Sequence, residues 1–258
     1  MIKMRNIIKA LNYQTRTDNV TYYSILLGIF LTIFGMLDFD VTGSEYVAFE
    51  GESISLLPVF LILMLGVRIL GWDYADKTMN YEILSGHHRR EVYFARVIVA
   101  HIWCIAFCVG FILLPVLFFT LINGWGTTMD FGGMALRFAL AIFPMIRIVC
   151  QYVLLVFLVK SAYVAWAAGY LLSMFSMIIP MLFEELMQIK FTYQFANTNL
   201  TKLFTFNQSI GYVNGEDVTI CHTELEPSVI IGTIGVSVAV SVICIVLGYI
   251  IFKKSDVN

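Results

Sequence analysis

Apolar residues in this chain come in long unbroken runs, not in alternation, and short polar intervals separate the runs. Six stand out: Val20–Leu37, Ile54–Trp72, Val97–Ile122, Phe131–Val159, Ala162–Phe183 and Val229–Phe252. Each is long enough to cross a bilayer core of about 30 Å at about 1.5 Å per helical residue. Lipid offers no hydrogen-bond partner to an open backbone, so a span is a helix or part of a closed barrel, and runs without a period of two are helices. The pattern predicts an all-α polytopic membrane protein, with six transmembrane helices in one domain over residues 1–258. Ahead of the first run, Lys3 to Arg16 puts Met4, Ile7, Ile8 and Leu11 on one helical face and leaves Lys3, Arg5, Lys9 and Arg16 for anionic headgroups. That predicts an interfacial helix within residues 1–19, resting on membrane lipid as an anchor or also passing motion to the first span.

Charge gives the runs a direction. The N-terminal segment has four basic residues against Asp18, and the next basic clusters are Lys77, Arg89, Arg90 and Arg96, then Lys160, then Lys253 and Lys254. The intervening segments carry Asp38, Asp40, Glu45, Glu50 and Glu52, then Asn123–Asp130 without a base, then 184–228 with its acids in excess. Basic loops stay in the cytoplasm, so both termini are expected there, in a multi-pass protein of the cell membrane. With 59% hydrophobic and 13% charged residues, the composition excludes a soluble domain. The N-terminal basic stretch is too long for a cleavable signal peptide, and the first span is expected to serve as its own targeting signal.

Chemistry-bearing residues are sparse. Cys104, Cys108, Cys150 and Cys244 fall inside spans, which argues for packing and against a disulfide framework or metal ligation. Glu184-Glu185 with Lys190 has the wrong spacing and the wrong base for a glutamic protease, and His87-His88 reads as a polar turn. Residues Asn199-Leu200-Thr201 and Asn207-Gln208-Ser209 match the short acceptor pattern for N-glycans. The segment 184–228, rich in aromatics from Phe191 to Tyr212, is expected to form an extracellular cap or to dip into the outer leaflet. Arg68 and Arg137 lie near span ends, where a long side chain can reach headgroups. Arg147 lies near the middle of its span, three residues after Pro144 and four before Gln151. Arginine there costs about 2.5–3.5 kcal/mol on insertion scales. Arg147 and Gln151 are therefore expected on a translocation path or a subunit interface, with the carbonyl freed by Pro144 as a local alternative.

The cytoplasmic interval 73–96 is more than a connector. A helical stretch ends near Leu84, Ser85-Gly86 breaks it, and a basic helical stretch leads into the third span. Met79, Ile83 and Leu84 form an apolar patch beside Glu82, a combination suited to a groove on a soluble partner. With six spans, both ends inside and an N-terminal interfacial helix, the stretch Asp76-Lys77-Thr78, Tyr81-Glu82-Ile83-Leu84-Ser85-Gly86, Arg89 and Arg96 resembles the membrane subunits of ABC transporters of the ABC-2 exporter type, above all bacterial peptide-export and antibiotic-immunity permeases. The resemblance implies that this loop is a coupling helix contacting an ABC ATPase subunit, and that a second permease subunit, identical or related, completes the path. It also implies short outer-leaflet helices in 184–228 that suit an exit gate.

The chain has no Gly-x-x-x-x-Gly-Lys-Ser/Thr phosphate loop, so no cofactor is expected on it, and ATP and Mg would sit on the partner ATPase. A noncatalytic permease subunit, with no nucleic-acid partner and peptide or lipid-like cargo, is the leading expectation. An ATP-independent channel or secondary carrier is the alternative. It is disfavoured because carriers usually hold acids inside their spans or show internal repeats.

Overall fold

The structure, a computed structural model, describes residues 2–35, 40–75, 78–189, 193–213 and 216–254. Helix α1 (Ile2–Thr17) turns at Asp18 into α2 (Asn19–Gly35), and α3 (Gly43–Ala75) follows as one long rod. The apolar face of α1, with Ile7 and Leu11 buried, lies along the helix that starts at Arg89, where Trp103 Nε1 donates to Asn12 Oδ1 at 2.8 Å. Part of the acidic interval expected as a loop after the first span is the first third of α3. Its start is a capping box: the N–H and Oγ1 of Thr42 donate to Glu45 Oε2 at 2.9 and 2.8 Å, and the Glu45 N–H donates back to Thr42 Oγ1 at 3.4 Å.

After α3 come the short α4 (Thr78–Leu84), α5 (Arg89–Asn123), α6 (Phe131–Val159) and α7 (Ala162–Met187). The chain then forms α8 (Ala196–Phe204), strands β1 (Asn207–Val213) and β2 (Glu216–His222), and the final helix α9 (Pro227–Lys254). The strands make an antiparallel hairpin with Asn207 opposite His222, an element the run pattern did not predict. The molecule is otherwise helical. Helices α5, α6, α7 and α9 are long and apolar enough to cross a membrane, while the apolar parts of α2 (Asn19–Phe30) and α3 (Pro58–Trp72) are shorter.

Helices α3, α5 and α6 pack side by side, α9 lies along α6, and α7 closes over α3 and α6. Gly169 allows that closure, since a Cβ there would stand 2.6 Å from Leu63 Cδ1 and 2.8 Å from Tyr152 Cε1. Small residues at such crossings let backbones approach closely where lipid gives no hydrophobic drive to association. One end of the bundle carries α4, with Tyr93 packed among Phe157, Tyr249 and Phe252 and its hydroxyl donating to the Ile245 carbonyl at 2.8 Å. The other end carries the β-hairpin.

Segment 193–206 does not lie flat on the hairpin end. The Arg147 guanidinium meets the carbonyls of Tyr193 and Gln194, whereas Arg137 meets those of Leu203 and Thr205. Arg137 and Arg147 are ten residues apart on α6, about 15 Å along its axis. Helix α8 therefore starts near mid-depth of α6 and climbs back towards the hairpin. Against α3 it climbs from Ser55, which shares a 3.3 Å hydrogen bond with Thr201, to Gly51, which sits on the Phe204 carbonyl. Non-helical backbone at such depth persists only where protein or a cavity surrounds it. That confines 193–195 to the slot between α6, α7 and α9.

Candidate functional site

Two places gather the residues singled out in the sequence. The first is α4 and the base of α5. Helix α4 ends where Ser85 Oγ donates to the Glu82 carbonyl at 2.8 Å and Gly86 takes φ +91°, a left-handed value that favours glycine. The Arg96 side chain is buried, and its Nη2 donates to Glu82 Oε2 at 2.9 Å, so an ion pair fastens α4 to α5. Arg89 Nη1 donates to the Lys253 carbonyl at 2.9 Å and ties the start of α5 to the end of α9. Tyr81 and Leu84 are 69% and 78% exposed. Met79, expected in the outward patch, is buried in the core, because on a helix it points away from Tyr81 and Leu84. Asp76 lies outside the described residues, as does the side chain of Thr78.

At the same end Asp18 holds Arg68 by two hydrogen bonds, 2.6 and 3.0 Å, and the guanidinium lies 3.9 Å from the centre of the Trp72 ring. Arg68, expected to reach headgroups, thus reaches a carboxylate within the chain. Hydrogen bonding to Arg68 holds the Asp18 carboxyl below its usual value, against the opposing effect of partial burial.

The second place is the slot beside α8. A cleft of about 270 Å³ opens there, with Arg147, Gln151, Tyr152, Ser173, Ser176 and Asn197 on its polar side. Tyr152 and Ser173 share a 2.5 Å hydrogen bond, and Asn197 Nδ2 donates to Ser176 Oγ at 2.6 Å and to the Ser173 carbonyl at 3.3 Å. Leu172, Phe175 and Ile179 line the same cleft and are also exposed on the outer face of α7, so its mouth is apolar. Arg147 is 4% exposed and uses two nitrogens, Nη1 to Tyr193 O at 2.9 Å and Nη2 to Gln194 O. Neither bond goes to the carbonyl freed by Pro144. Among the described residues its Nε is buried without a partner, and no carboxylate forms an ion pair with it. Gln151 lies one turn further along α6 and makes no side-chain hydrogen bond to any described residue.

Arg137, expected to reach headgroups, is 3% exposed and engages five carbonyls: Thr223 by Nε, Leu203 and Thr205 by Nη1, His222 and Glu224 by Nη2. It is a clamp for the ends of α8 and the hairpin. Glu184 pairs with Lys202 at 3.3 Å, which joins α7 to α8. Asn199 is buried with Nδ2 donating to Thr233 Oγ1 at 2.9 Å, which removes it as a glycan acceptor. Cys221, on β2, is buried, and its N–H donates to the Thr128 carbonyl at 2.7 Å. Among the described residues no group of three or more His, Cys, Asp or Glu is placed to hold a metal ion.

Sequence reasoning brought Arg147 and Gln151 together but missed the other polar wall. Its signal was Ser173-x-x-Ser176, one face of an otherwise apolar span. Set against known proteins, the chain matches no family model and no curated protein.

Proposed function

We propose that this chain is the membrane subunit of an ATP-driven exporter of the ABC-2 type. In this reading six spans cross the cell membrane with both termini in the cytoplasm, and α2 and the second half of α3 serve as the two shorter spans. Separate ATPase subunits bind ATP and Mg, and a second permease subunit forms the other half of the path. The cargo class is peptide or lipid-like, with Arg147 and Gln151 beside its route.

The observation that carries the reading is α4. It is a short helix beyond the apolar bundle, fastened to a membrane-length helix by the buried end of an ion pair, and it turns Tyr81 and Leu84 outward. An aromatic and an aliphatic side chain on a rigid exposed helix are the anchors a groove on a soluble partner takes up. The Glu82–Arg96 pair supplies the stiffness by which a push on α4 would reach α5. A passive loop needs neither the patch nor the pair.

The test is gentle purification of the tagged chain from its native membrane, with identification of stoichiometric partners. Wild type is expected to carry an ATPase, and Tyr81→Asp with Leu84→Asp is expected to lose it while the chain stays folded. A chain free of ATPase, or an ATPase retained equally by the double variant, overturns the reading and favours an ATP-independent channel or carrier.

A further inference from the structure

We propose that the cleft beside Arg147 binds the anionic end of an amphiphile, a carboxylate or a phosphate, whose tail leaves through the apolar mouth on α7. This goes beyond the exporter reading and does not need it, because the site belongs to this chain alone.

Arginine has five N–H donors in a fixed fork. At Arg147 two nitrogens hold backbone carbonyls and Nε has no partner among the described residues, although the side chain is buried. Carbonyls satisfy donors but carry no net charge, and no described carboxylate is paired with the guanidinium. A positive charge so placed in a low-dielectric span raises the affinity of its surroundings for an anion. The same cleft offers Gln151, without a hydrogen-bond partner among the described residues, and the first turn of α8, from which Ala196 and Asn197 line it. Helix N-termini favour negative charge, so α8 adds to the field of Arg147.

The shape selects among anions. The space of about 270 Å³ admits a headgroup but not a whole lipid, and Leu172, Phe175 and Ile179 at the mouth continue into the exposed apolar face of α7. A free hydrated ion would shed its water to pass that mouth and gain nothing from it. An amphiphile already in the bilayer keeps its tail in lipid and brings only its charged end inside. The chemistry is shared by two sources, the membrane's own acidic phospholipid and a free fatty acid.

Native mass spectrometry of the full chain, purified in nonionic detergent with any partner that stays bound, reads the occupant. Four probes are titrated in parallel: phosphatidylglycerol, oleate, phosphatidylcholine and inorganic phosphate. One retained phosphatidylglycerol or oleate per chain is expected, and the one that persists names the source. Arg147→Gln is expected to lower retention at least tenfold. Because that change also frees two carbonyls, Ile179→Trp, which narrows the mouth without touching the charge, is the second variant and is expected to do the same. Wild type with no anionic adduct, either variant retaining the lipid as wild type does, phosphatidylcholine held equally, or inorganic phosphate held as firmly as the amphiphiles would each overturn the proposal.

Discussion

Two arginines on one helix, ten residues apart and equally buried, have opposite surroundings. At the hairpin end Arg137 meets five backbone carbonyls and stacks 4.8 Å from the Phe206 ring centre, so every nitrogen of the guanidinium is engaged. At mid-depth Arg147 meets two carbonyls and faces a cleft, with Nε unengaged. The first is a structural node: two separate stretches, 203–205 at the end of α8 and 222–224 from the end of β2 towards α9, converge on one side chain. The second holds one stretch and leaves donors over. At equal burial, what separates these two arginines is how many of their donors the chain itself satisfies.

The contrast is broken most directly by removing each guanidinium in turn. Arg137→Leu leaves buried carbonyls unsatisfied at about 1–3 kcal/mol each, so the hairpin end is expected to come apart, with the folded yield in detergent falling steeply and SDS-induced unfolding occurring earlier. A variant as stable as wild type would mean that water or lipid replaces the clamp. Arg147→Leu frees two carbonyls but also removes an unbalanced charge, so its net loss is expected to stay within about 2 kcal/mol in the same assay, with membrane insertion intact and transport lost. Equal losses in the two variants would erase the distinction.

The third and smallest effect comes from an arginine with an acid for a partner. Carbonyls do not titrate, so the ties of Arg137 and Arg147 are indifferent to mild acid. The Arg68–Asp18 tie is not, because Asp18 titrates below its usual value when folded. Its stabilising contribution is present above the usual aspartate range and is lost as pH falls through the lowered value. Thermal unfolding in detergent is expected to shift down by a few degrees at most over that window, since the pair is partly exposed, and Asp18→Asn should flatten this part of the profile. An unchanged profile in the variant would assign the acid sensitivity elsewhere.

Much of the bundle could be read from the runs, because long apolar stretches admit few structures in lipid. Helices α6 and α7 begin at the expected Phe131 and Ala162, and α4 ends at the Ser85-Gly86 break. The start of α3 was legible and passed over: Thr42-x-x-Glu45 is a capping signature, but the acids after it read as a solvated loop. The descent of 193–195 was not legible, because an aromatic-rich segment suits a surface cap as well as a slot between helices. The sequence set Arg147 apart from Arg137 by its depth in the span, but the carbonyls that each would hold were not legible, for the same reason. What separates them is supplied by carbonyls 46 to 87 positions further along the chain, and local pattern does not report which distant backbone returns.

The Tyr193 carbonyl, 46 residues downstream of Arg147, also sets a schedule. At about 5–20 residues per second, a ribosome reaches Tyr193 roughly 2–9 s after it has added Arg147. For that interval α6 holds its guanidinium with neither of the two backbone carbonyls that later receive it. The depth of α8 thus makes this part of the bundle a late arrival, added to a helix that has been waiting for it.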